Sequence, residues 1–194
     1  MKRSIILVHF LLLIGVLTVK AEGGVFGTAT TLRPGNFAFG LEPCLVLSAS
    51  EFSFFLHGGA GLVPGIDLDL KIGFNSDTYL GADVEFVLIP DKNRTPGLSF
   101  AAGVHSTSDM GFDAVLTLSN RFPTFSFYTA LDADFELNNH DEGEDGETEI
   151  EVPLYLALGV AIPMARKTEF LFEVDVAVTD SAENILSGGI TFYF

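Results

Sequence analysis

From Ile66 to Phe74 the chain reads Ile-Asp-Leu-Asp-Leu-Lys-Ile-Gly-Phe, with large apolar residues at every even position and a charge or glycine at every odd one. A period of two predicts a β-strand with one apolar and one polar face. The alternation recurs between turn residues over about ten segments: 36–48, 51–62, 66–74, 78–90, 97–106, 111–119, 124–138, 149–162, 169–178 and 185–194. Connections are short except from Asn138 to Glu149. Residues 22–35 lack the alternation and read as an N-terminal tail. No stretch of the mature chain has a helical period, and no second domain is marked. The expected architecture for 36–194 is all-β, an antiparallel up-and-down barrel of about ten strands, with eight as the alternative count.

The two faces differ sharply. One carries Phe, Leu, Ile and Val throughout, as in Phe37, Phe39, Leu68, Leu70, Phe86, Leu116, Leu131, Phe172 and Ile190. The other carries Glu42, Asp67, Asp69, Lys71, Asp83, Glu85, Asp113, Asp132, Asp134, Glu136, Glu151, Glu173 and Asp175, with His57 and His105, and is otherwise mostly glycine and alanine. Composition sharpens the question of which face is inside. The chain is 48% hydrophobic yet has a formal net charge of −16, with 10 Lys plus Arg against 26 Asp plus Glu. The apolar content excludes an acidic disordered chain, and the deficit of bases disfavours nucleic acid as a partner. With one cysteine there is no internal disulfide framework.

In a soluble β-sandwich the apolar face is the core; in a transmembrane barrel it meets lipid and the polar face lines the lumen. Carboxylates and very small residues suit a crowded barrel interior better than a wet sheet surface, which would carry Lys, Thr, Gln and Arg. Most of the strands also reach the 9–11 residues needed to cross a bilayer at a tilt. The chain closes on Gly188-Gly189-Ile190-Thr191-Phe192-Tyr193-Phe194. This segment resembles the C-terminal strand of bacterial outer-membrane β-barrel proteins, the small eight- and ten-stranded members above all. The resemblance implies an outer-membrane location, outer-membrane lipid as the surrounding partner, and recognition of Phe194 by the barrel assembly machinery. One departure is the absence of Trp, with only four Tyr; phenylalanines at strand ends stand in for the usual aromatic belt.

The first residues agree with export. Lys2 and Arg3 precede an apolar run from Ile5 to about Val19, and Val19-Lys20-Ala21 fits a cleavage site. The layout is that of a secretory signal peptide, 1–21, removed after Ala21; the run is short for a membrane anchor. Removal leaves seven basic residues. In a ten-stranded barrel five of these (Lys92, Arg94, Arg121, Arg166 and Lys167) fall in the turns of one rim. Glu51, Asp77, Asp109, Asp180, Glu183 and the acidic loop 138–147 fall at the other.

The chemistry on offer is electrostatic. Twelve inward carboxylates and one lysine cannot all be ionised in a dry interior, so the lumen is wet, or some carboxylates hold protons, or cations are bound. A hairpin pairing Phe74 with Thr78 also sets Asp69 opposite Asp83 and Asp67 opposite Glu85, and like charges so placed repel. Asp67, Asp69, Asp83 and Glu85 are therefore the candidate cation cluster, with Ca²⁺ or Mg²⁺ as the fitting ions; the alternative is a hydrated lumen without a specific site. No other cofactor is expected. The favoured function is a porin-like or structural barrel, with acidic residues that would prefer cations. The alternatives are a surface protein acting through its acidic loops and a lipid-modifying enzyme. His57 and His105 lie near Ser53 and Ser99, but no spacing marks a nucleophile, base and orienter together, so catalysis is not expected. Cys44 reads as an inert small side chain.

Overall fold

The computed structural model describes residues 24–74, 78–91, 95–107, 110–139 and 148–194. The expected signal peptide, Asp77, Lys92, Arg94, Asp109 and residues 140–147 of the acidic loop lie outside them. The strands are β1 (Phe37–Val46), β2 (Glu51–Val63), β3 (Ile66–Phe74), β4 (Thr78–Ile89), β5 (Gly97–Ser106) and β6 (Met110–Arg121). They continue with β7 (Ser126–Asn139), β8 (Thr148–Glu151), β9 (Leu154–Ala165), β10 (Thr168–Ala177) and β11 (Ile185–Tyr193).

Neighbouring strands pair antiparallel from β1 to β7, then β7 with β9, β9 with β10 and β10 with β11; β11 returns to β1 and closes the sheet. The short β8 pairs with the far end of β7, Glu136 opposite Glu151. It is therefore a detached piece of the stave that β9 continues, and the barrel has ten staves. The sequence predicts one unbroken strand over 149–162; the break falls at Val152-Pro153. Proline has no N–H to donate to a ladder, and here the Pro153 carbonyl takes a bond from the Asp134 amide instead.

Alternation puts the apolar residues outside. Phe37, Phe52, Leu70, Phe74, Leu80, Phe112, Leu116, Leu131, Phe172 and Ile190 are all exposed, on staves right round the barrel. Soluble monomers rarely expose apolar patches of more than a few hundred Å². A continuous apolar girdle on a closed sheet is the lipid-facing surface of a transmembrane barrel, in which closure leaves no unpaired strand edge in the hydrocarbon.

Inside, the small residues do not leave a bore. Several of the glycines make a floor for a ring from the same or a neighbouring strand. A Cβ at Gly159 would stand 2.0 Å from Cζ of Tyr128, and one at Gly73 would stand 2.4 Å from Cε1 of Phe55 and 2.9 Å from Cβ of Tyr79. Phe55, Tyr79, Tyr128 and Tyr155 are all buried on this inner face, which the sequence pattern presents as acids, glycine and alanine.

Residues 24–36 form no strand, as the tail reading expects, but they do not hang outside. Arg33-Pro34-Gly35-Asn36 has the residue order of a type II turn: Gly35 takes φ +80 and the Asn36 amide bonds the Arg33 carbonyl at 2.9 Å. Gly61 of β2 joins this turn, donating to Asn36 O at 3.0 Å and accepting from the Gly35 amide at 2.9 Å, where the β2–β3 ladder slips by a residue. The turn sends the preceding residues back into the barrel.

Candidate functional site

The barrel interior is the only continuous inner surface the closed sheet creates, and residues 24–32 run through it. Four contacts seat them. The Phe26 amide donates to both carboxylate oxygens of Glu173, at 3.2 and 3.1 Å. The Leu32 amide donates to Asp67 Oδ2 at 2.5 Å. Lys71 Nζ donates to the Gly24 carbonyl at 3.2 Å. The Phe26 ring stacks on His57, centroids 5.1 Å apart. Phe26 holds φ +45, a left-handed conformation that costs a non-glycine residue about 1–2 kcal/mol; the contacts around it offset that cost. Phe26 and Ala29 are buried.

Between this segment and the barrel wall lies a cavity of about 150 Å³, lined among others by Asp67, Asp69, Lys71, Asp83, Glu85 and Thr117. The observed register sets Asp69 opposite Asp83 and Asp67 opposite Glu85. The four carboxylates nevertheless do not gather into one ligand set. Asp67 is turned to the Leu32 amide. Asp83 lies over Gly103, where a Cβ would stand 1.8 Å from Asp83 Oδ1, and Lys71 Nζ is 3.9 Å from its Oδ2.

Of the other acids, Glu42, Asp113, Asp132, Asp134, Glu136, Glu173 and Asp175 are buried, while Asp69, Glu85, Lys71 and His57 are partly so. Glu151 differs: it is exposed, because β8 stands beyond the end of β9 and has no closed wall behind it. Glu42 is fully buried and bonded to His57 Nε2 at 2.5 Å, and it accepts from Cys44 Sγ at 3.2 Å. His105 bonds Asp113 through Nδ1, and Tyr79 stacks on its other side at 5.5 Å. Both histidines thus have carboxylate partners. Ser53 Oγ, beside His57 in the sequence reading, is buried with no partner among the described residues. Phe194 is exposed at the closing seam, its amide bonded to Phe37 O at 2.8 Å.

Sequence reasoning misses the segment itself. Its signal is the Pro34-Gly35 turn directly before β1, which reverses the chain. The charges at the rims are also visible in the fold. Arg33, Arg121, Arg166 and Lys167 lie at the rim where β1 begins, and Glu51, Asp180 and Glu183 at the opposite one, where Ser48 Oγ donates to Glu183 at 2.6 Å.

No protein-family profile matches the chain, and no curated protein matches it in sequence. Among solved structures the barrel is similar to the NanC porin, with a TM-score of 0.55 at 10% identity over 79% of this chain and 98% of that one. The KdgM porin, solved in complex with disordered oligogalacturonate, gives a TM-score of 0.45 at 10% identity, covering 82% and 99%. The N-terminal β-barrel domain of Pseudomonas aeruginosa OprF gives 0.43 at 10% identity, covering 84% and 100%. The NanC likeness is one of fold: a small transmembrane β-barrel.

Proposed function

We propose that the protein is a small porin-like barrel of the bacterial outer membrane, exported by a signal peptide removed after Ala21 and closed at rest by residues 24–32. When that segment withdraws, the passage it leaves is lined by carboxylates and prefers cations. Phe194 serves as the signal to the barrel assembly machinery. The observation that carries the reading is how the segment is held. Its seat consists of side-chain contacts from Glu173, Asp67 and Lys71, with no strand pairing to the wall among the described residues beyond the turn at Gly61. Such a segment can leave while every inter-strand ladder stays intact.

Planar-bilayer recordings on the full chain and on a variant lacking residues 24–32 test this. The full chain is expected to be mostly closed. The shortened barrel, shown to be folded by its heat-dependent gel mobility, is expected to conduct steadily, with a reversal potential in a KCl gradient that reports cation preference. A folded, shortened barrel that passes no current, or that prefers anions, overturns the reading.

A further inference from the structure

Away from the seat of residues 24–32, towards the rim opposite the start of β1, three strands bring a histidine and two aspartates together. His105 on β5, Asp113 on β6 and Asp134 on β7 are all buried, and each offers one ligand atom within 4.8 Å of the others. The registers that assemble them are His105 opposite Gly111, Gly103 opposite Asp113, and Asp113 opposite Asp134.

Two glycines make the space. A Cβ at Gly111 would stand 2.1 Å from His105 Nε2, so the imidazole lies flat across that position. Gly103, two residue pairs along and so on the same face, lets Asp83 reach from β4 across β5 towards Asp113. The result is an oxygen-rich cluster short of donors. Asp83 Oδ1 and Asp113 Oδ2 are both buried, on side chains nine-tenths buried or more, and no N–H or hydroxyl donor among the described residues reaches either. What faces them is another carboxylate. Asp132 Oδ1, two residues from Asp134 on the same face, is buried in the same state. Lys71 stands 3.9 Å from Asp83 and is the one ammonium at hand among the described residues. A buried carboxylate oxygen without a donor is costly, and a cation is the partner that satisfies several at once.

We propose that His105, Asp113 and Asp134, with Asp83 leaning in over Gly103, bind one divalent transition-metal ion of the Zn²⁺ or Mn²⁺ kind. The imidazole selects this class over Ca²⁺ and Mg²⁺, which take oxygen ligands alone. Ligands around such an ion each sit roughly 2 Å from it, and small side-chain rotations bring the three atoms in. The proton that joins His105 Nδ1 and Asp113 is released as the metal takes its place. Tyr79 stacked on the ring and Gly111 beneath it hold the imidazole in the orientation binding requires.

The test uses the untagged full chain, folded in detergent, stripped with chelator and titrated with Zn²⁺, Mn²⁺ or Ca²⁺. Elemental analysis after desalting is expected to give one Zn²⁺ or Mn²⁺ per barrel, with a raised unfolding temperature and no comparable effect of Ca²⁺. His105→Ala and Asp113→Asn should each weaken binding about 100-fold or more. Glu183→Gln, a rim acid outside the set, should leave it unchanged. Gly111→Ala displaces the ring without removing a ligand and should weaken binding too. Wild-type barrel that retains no ion, or binding equal in wild type and in a folded His105→Ala or Gly111→Ala variant, overturns the proposal, as does preference for Ca²⁺.

Discussion

The amide of Phe26 is shared between the two carboxylate oxygens of Glu173, at 3.2 and 3.1 Å, across a sequence separation of 147. This contact ties the N-terminal segment to β10, which follows β1 and β11 round the wall from β2, where the segment enters. Two consequences separate cleanly. Glu173 is fully buried in the company of Glu42 and Asp175, so when ionised it is repelled by these neighbours while it holds Phe26.

Glu173→Gln therefore loosens the segment without weakening the barrel. Losing the charge of one buried hydrogen bond is worth about 1–1.5 kcal/mol, or close to tenfold in the population of the released segment. Cysteine at Thr28, labelled with a polar maleimide, should react about tenfold faster in Glu173→Gln; the native Cys44 is buried and stays silent. The unfolding temperature should not fall. Unchanged labelling would mean that Phe26 is held by its ring contacts alone.

Lys71 makes the opposite case. It bonds Gly24 at 3.2 Å and stands 3.9 Å from Asp83. Lys71→Met removes both contacts and leaves carboxylates without their cation, a loss of about 3 kcal/mol. Urea unfolding in lipid vesicles should show it, together with faster labelling at position 28. Lys71→Arg should restore most of both. Stability equal to wild type in Lys71→Met would show that the inner carboxylates are neutralised by other means.

Gly159 lies flat beneath Tyr128, and Gly73 beneath Phe55 and Tyr79. Gly159→Ala should cost about 1–3 kcal/mol by overpacking. Combining it with Tyr128→Ala should recover part of that cost, because the clash disappears with the ring. A double-mutant cycle in equilibrium unfolding reads the coupling. Additive effects would place the Tyr128 ring elsewhere.

Leu131 is exposed in mid-strand on the outer face, opposite Leu116 and Leu156. Leu131→Arg should destabilise the barrel by about 2–4 kcal/mol in a bilayer, since a charge at the hydrocarbon midplane costs that much. Refolding into vesicles at a series of urea concentrations measures it. A neutral result would mean that this face meets water.

The strands and their two faces are legible because period two is local: each residue's side follows from its neighbour's, whatever lies across the sheet. Hairpin registers follow from short turns, and so the pairs Asp69–Asp83 and Asp67–Glu85 can be read directly from the chain. A cation cluster built from those pairs cannot, because a register places Cα atoms while the carboxylates turn to whatever donor or space is near. Asp67 turns to Leu32, and Asp83 to the gap above Gly103. The group of His105, Asp113 and Asp134 needs two successive registers and a glycine beneath the ring, and each of its members reads alone as one more polar residue on the inner face.

The sequence by itself determined the all-β period, the separation of apolar from acidic residues and the sorting of bases to one rim. These depend on alternation and strand count. The tertiary structure alone decided that residues 24–32 lie inside the barrel, that rings cover Gly73, Gly111 and Gly159, and which carboxylates meet. Those outcomes rest on contacts between residues remote in sequence: Gly159 meets Tyr128 only when β9 pairs with β7, and Phe26 meets Glu173 only when β11 closes on β1 and brings β10 round to the segment.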